Sequence, residues 1–166
     1  FDYKIFEPMI FVQNPEICYK MKPNGRCEGG QLNSEGFKDK DHMLQKDNNT
    51  VRIIMLGDSI TKGTGINLGY TFSDQLEELL NRKAKQAGTA LIYEVMNFGV
   101  GGYNIVSETG ILKAYGLKYK PDIVILNYFW NDNDEYPYNY WWFMKHSDLS
   151  ASKKNLVYQY YLSSNK

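Results

Sequence analysis

The stretch "VRIIMLGDSITKGTG", residues 51–65, decides the fold. Apart from Arg52 its first six residues are apolar, and Val51, Ile53 and Ile54 are β-branched. A short run of this kind suits a strand buried on both faces, as in the middle of a parallel sheet. The run breaks into Gly57-Asp58-Ser59, with Lys62, Gly63, Thr64 and Gly65 beyond. Two machines are built on such a junction: a cradle of backbone N–H groups for a phosphate, and a turn that presents a serine nucleophile. A phosphate loop places its lysine directly after the second glycine, so that the ammonium curls back onto the phosphates. Here Lys62 precedes Gly63, and the order argues against the cradle. The later cluster "GVGGYN" (99–104) is no dinucleotide fingerprint either, because Asn104 stands where the third glycine belongs.

Working outward, "TFSDQLEELLNRKAKQAG" (71–88) has helical spacing in Phe72, Leu76, Leu79, Leu80 and Lys83. Thr71 with Asp74 reads as its start signal and Gly88 as its end. "LIYEVMNFG" (91–99) is expected as a second strand, and "NIVSETGILKAYGLKY" (104–119) as a second helix weakened by Gly110. "PDIVILNYFW" (121–130) is expected as a third strand, with Pro121 at its entry. Alternating strands and helices with short connections predict an α/β fold, three layers α/β/α around a parallel sheet. In such sheets functional groups collect at the carboxyl ends of the strands. Those ends are Gly57–Ser59, Asn97–Asn104 and Asn127–Asp134, all rich in small and polar residues.

Residues 1–50 read as an irregular N-terminal segment of short strands and turns, ahead of a main domain over 51–166. "MKPNGR" (21–26) is a tight turn, since Pro23 fixes φ and Asn24-Gly25 supplies positive φ. The Lys/Asp mixture at 38–47 reads as a solvated linker.

The 166 residues carry 19 basic and 19 acidic side chains, so no basic surplus drives binding to nucleic acid. No apolar run approaches the ~20 residues of a membrane span. Cysteines are two, Cys18 and Cys27, and a disulfide closing that loop or two free thiols remain open. Histidines are also two, His42 and His146, far apart and without metal-ligand spacing, so zinc chemistry is disfavoured. A chain that opens on Phe1 rather than Met leans toward an exported, extracytoplasmic protein.

Ser59 at the strand tip needs a base to take its proton and donors for a developing oxyanion. Gly102, at the second strand end, offers an N–H that a ligand can approach closely. Asn131, at the third, offers a side-chain amide. "GDSIT", "NFGVGGYN" and "NYFWNDND" together resemble the first three blocks of the SGNH, or GDSL-like, hydrolases, in order and spacing. The resemblance implies a flavodoxin-like SGNH fold and a serine esterase or acyl-ester hydrolase acting through an acyl-enzyme, without cofactor. It implies Ser59 as nucleophile, with Ser59 N–H, Gly102 N–H and the Asn131 amide as the oxyanion hole. The substrate would be a small-molecule, carbohydrate or lipid ester.

Two features depart from the family. Phe129 stands where its third block has glycine, and no Asp-x-x-His block follows residue 134. The catalytic histidine and its aspartate are therefore expected outside 51–166, in a domain incomplete at its C-terminus. Two other readings stay open: His146 as an unorthodox base, or a non-catalytic carbohydrate- or partner-binding module that keeps the hydrolase fold. The aromatic cluster "EYPYNYWWFM" (135–144) would suit stacking on sugar rings or packing against a partner. Asp58, Asp132 and Asp134 are read as turn-holding groups, and Asn97 as the residue that orders the second loop.

Overall fold

The computed structural model of the protein describes residues 9–12, 14, 16, 17, 19–133, 150–152, 154, 155 and 159. Cys18, Asp134, the aromatic cluster at 135–144 and His146 lie outside the described residues.

Among the described residues the core of the fold is a parallel sheet of three strands, β5 (Thr50–Leu56), β6 (Ile92–Asn97) and β7 (Ile123–Leu126). Four two- and three-residue strands precede it: β1 (Met9–Phe11), β2 (Tyr19–Met21), β3 (Arg26–Cys27) and β4 (Gly30–Gln31), paired antiparallel as β1–β2 and β3–β4. The sheet order is β6-β5-β7, with Ile53 opposite Val95 on one side and Ile123 on the other. The apolar run at 51–56 is thus the central strand, covered on both faces as expected. β7 forms an edge, and Ile123, Val124 and Leu126 on it are exposed.

The sheet's two faces follow the strand period of two. Ile53, Met55 and Val95 meet Leu76 and Leu80 of helix α2 (Phe72–Gln86). Ile54, Leu56, Met96 and Phe98 face the other way, onto Ile111 and a cluster from the N-terminal segment that includes Ile17, Tyr19, Met21, Leu32 and Phe37. These are the three layers. Helix α1 (Ser59–Lys62) is one turn directly after β5, and α3 (Ile105–Ile111) follows the second strand end.

Local signals act as the sequence predicts. Thr71 and Asp74 form a reciprocal capping box at the start of α2. In the "MKPNGR" turn it is Asn24 that takes the positive φ, at 56°. The helical pattern at 104–119 departs from a plain α-helix: it runs through Gly110, widens to a π turn over Leu112–Gly116 and closes as a 3-10 turn over Leu117–Tyr119.

The start of the segment read as a solvated linker is instead built into the fold. Lys38 is 1% exposed, and its ammonium donates to the carbonyls of Gly63 (2.7 Å) and Ile66. Asp39 is buried too, and accepts from the backbone N–H of Asn97 at 2.8 Å. Burial lowers the Lys38 pKa and raises that of Asp39. Arg52, the polar exception in the 51–56 run, ties the backbone that follows Asp39 to the sheet. It is 1% exposed, pairs with Glu94 at 2.6 Å, and donates to the carbonyls of Met43, Leu44, Gln45 and Tyr119. Composition at 38–47 suggested solvent, and the side chains at 40, 41, 43–45 and 47 do face it. The backbone carbonyls of 43–45 are instead tied to the buried guanidinium, which needs acceptors. Cys27 is a half-buried free thiol whose pKa is raised by burial.

Candidate active site

The junction after β5 leaves room for glycine alone at 57: a Cβ there would lie 1.9 Å from the Thr61 hydroxyl. Asp58 is buried, and its carboxylate accepts from the Ile60 N–H at 2.8 Å, capping α1. It holds the turn, as the sequence suggests. Ser59 opens α1 and is half-buried.

The second strand end is pressed against the same turn. Asn97 is fully buried, donates its amide to the Thr61 carbonyl (3.0 Å) and accepts from Gly99 N–H (3.0 Å), so it orders the second loop. A Cβ on Gly99 would come within 2.3 Å of the Lys62 nitrogen, which is why this loop can lie on the backbone of α1. Val100 N–H then donates to Gly57 O at 3.0 Å. Gly102 follows in the left-handed region at φ 76° and is half-buried. Asn104 caps α3 by accepting from Ser107 N–H at 3.0 Å.

The third strand end closes the set. Asn127 N–H donates to Leu56 O at 3.0 Å, and its side-chain amide donates to the Thr61 hydroxyl at 3.1 Å. Beyond it a 3-10 turn, Trp130–Asn133, is fastened by Asp132, whose carboxylate accepts from Phe129 N–H at 2.6 Å. Asn131 lies within that turn, between Trp130 and the buried Asp132. Phe129 turns to an apolar groove of about 360 Å³ that it shares with Met55, Ile60, Phe72, Asn127 and Tyr128, while Trp130 is 79% exposed.

Thr61 therefore joins all three strand ends, a role that sequence reading missed although the residue stands inside "GDSIT". Lys62 beside it is buried, and burial lowers its pKa to about 8. Its amine belongs to the interior rather than to an open anion cradle. Asp39 and His42 form a buried Asp-x-x-His pair, with His42 Nε2 3.0 Å from the carboxylate. That is the Asp-x-x-His spacing sought after residue 134, yet the pair lies at the outer edge of β6, where Asp39 serves the Asn97 backbone. It is a staple of the fold. Among the described residues no cluster of His, Cys, Asp or Glu is arranged to hold a metal ion.

The class that fold and site define is an α/β protein whose Gly57–Ser59 turn is locked to two neighbouring strand ends of a parallel sheet. No family model matches the chain, and no curated protein does. Among solved structures it is similar to the acetyl xylan esterase AlAXEase, at 24% identity and a TM-score of 0.36, covering 69% of this chain and 52% of that one. It is similar also to AlinE4, an SGNH-hydrolase family esterase, at 17% identity and a TM-score of 0.35, covering 72% of this chain and 55% of that one. The chain spans about half the length of these structures. No helix among the described residues is long and apolar enough to cross a membrane.

Proposed function

We propose that the chain is the N-terminal part of an SGNH-type serine ester hydrolase. The observation that carries this reading is the bonding of three strand ends onto the single turn opened by Ser59, each end bearing one of the family-like blocks. Ser59 Oγ attacks the ester carbonyl. The oxyanion that forms is met by Ser59 N–H, Gly102 N–H and the Asn131 amide, and collapse expels the alcohol to leave an acyl-enzyme. Water then releases the acid.

The base comes from beyond the described residues, because the ring of His42 is committed to buried Asp39. The groove beside Ile60 and Phe129 suits a small acyl group, and the exposed rings of Tyr128 and Trp130 suit a sugar face in the alcohol portion. The same rings support the second reading, a carbohydrate-binding module that keeps the fold without turnover. A fluorophosphonate probe on the full-length protein separates the two. The esterase labels in wild type and not in Ser59→Ala, and it turns over p-nitrophenyl acetate. A protein that does neither is the binding module.

A further inference from the structure

Glu108 lies in α3, six positions past Gly102, and is completely buried. Among the described residues neither of its carboxyl oxygens has a hydrogen-bond partner, and the same is true of Oδ1 of buried Asp132. A buried acid with both oxygens unpaired is rare, since each forgoes the hydrogen bonds water would give it. The charges that act on Glu108 are those of Asp132 and Asp58, both acidic. One comes from the 3-10 turn at the third strand end, the other from the cap of α1. From the remaining elements, Glu16 of the N-terminal segment packs against Gly110 and is paired outward with Lys113, and Lys62 of α1 is a buried amine.

We propose that Glu108 is a positioning residue: a buried carboxyl facing both Asp58, in the turn that carries Ser59, and Asp132, in the turn that carries Asn131, it governs how closely those turns approach. The proposal rests on the esterase reading for the roles of Ser59 and Asn131. As the neutral acid, Glu108 lets the turns of buried Asp58 and buried Asp132 lie near it without a further buried charge. Ionised, it would place a buried negative charge beside two other acids, a cost relieved when the turns part and admit water. Burial first, then Asp132 and Asp58, push its pKa up to about 8, so the neutral form holds at neutral pH and is lost above it.

The test uses the full-length protein with Trp141, Trp142 and every other tryptophan except Trp130 replaced by Phe, so that Trp130, two residues from Asp132, reports on the third turn. Its emission is followed from pH 6 to 10, and the rate of Ser59 labelling by a fluorophosphonate is measured beside it. Glu108→Gln keeps the shape and removes the ionisation; Glu108→Leu is a second non-ionising variant should Gln pack poorly. Wild type should show a Trp130 transition near pH 8 that both variants lack. Its labelling rate, relative to Glu108→Gln, should fall about tenfold between pH 7 and 9. A Trp130 transition absent from wild type, or unchanged in the variants, overturns the proposal, as does labelling that keeps one ratio to Glu108→Gln at all pH values. A Glu108-dependent transition with no Ser59 labelling in any protein upholds the link between the turns and defeats the esterase reading instead.

Discussion

The side-chain amide of Asn127 donates to the hydroxyl of Thr61 across 66 positions of sequence, at 3.1 Å. Thr61 is buried, and its carbonyl accepts in turn from Asn97. Thr61→Val should cost about 1–3 kcal/mol, since it leaves the Asn127 amide without its acceptor in a partly buried site. The Asn127→Ala, Thr61→Val double mutant should be less destabilised than the sum of the singles. Urea denaturation of the four proteins reads both quantities, and strict additivity would remove Thr61 from the centre of the site.

Arg52 is the second point of leverage. Its guanidinium holds the 43–45 carbonyls and Glu94 against the central strand. Arg52→Met should lower stability by about 1–3 kcal/mol, because it strands the Tyr119 carbonyl, whose bond is buried, and unties the partly buried carbonyls of 43–45. Arg52→Lys should recover only part of this, since an ammonium cannot reach the same fan of oxygens. Limited proteolysis should find the 43–47 backbone newly cut in both variants, and faster in the first.

Asp39→Asn tests the buried dyad. The carboxylate serves Asn97 N–H, Lys40 N–H and His42, so the amide should cost about 1–3 kcal/mol. If this pair were the catalytic base instead, the variant would lose labelling at Ser59 by orders of magnitude with little change in Tm. The expected result is the reverse: a lower Tm and a labelling rate within a few-fold of wild type.

Lys62 carries a pH dependence of its own. Its pKa is lowered from 10.5 to about 8 by burial. Between those values the unfolded chain holds a proton that the folded one lacks, so stability rises with pH across that window. The stability of wild type relative to Lys62→Met should therefore climb from about pH 8 toward 10.5, read by chemical denaturation at several pH values. Glu108, raised from 4.5 to about 8, has the opposite sign, and its contribution is lost as pH rises from about 4.5 to about 8. A Lys62→Met difference that stays flat with pH would show that the amine is charged inside the fold.

The sequence by itself determined the parallel sheet and the places where chemistry could sit. Apolar runs at 51–56, 91–99 and 121–130, the capping box at Thr71 and Asp74, and the glycine-rich junctions are all local signals. Short-range sterics and hydrogen bonding enforce them within a few residues. What Lys38, Asp39, Arg52, Thr61 and Glu108 do was decided only by the tertiary structure. Each is a polar group inside the protein, and its partners or rivals arrive from distant segments: Asn97 for Asp39, Tyr119 for Arg52, Asn127 for Thr61, Asp132 for Glu108. A buried polar group is decided by whatever else shares its dry surroundings, and no spacing along the chain reports that.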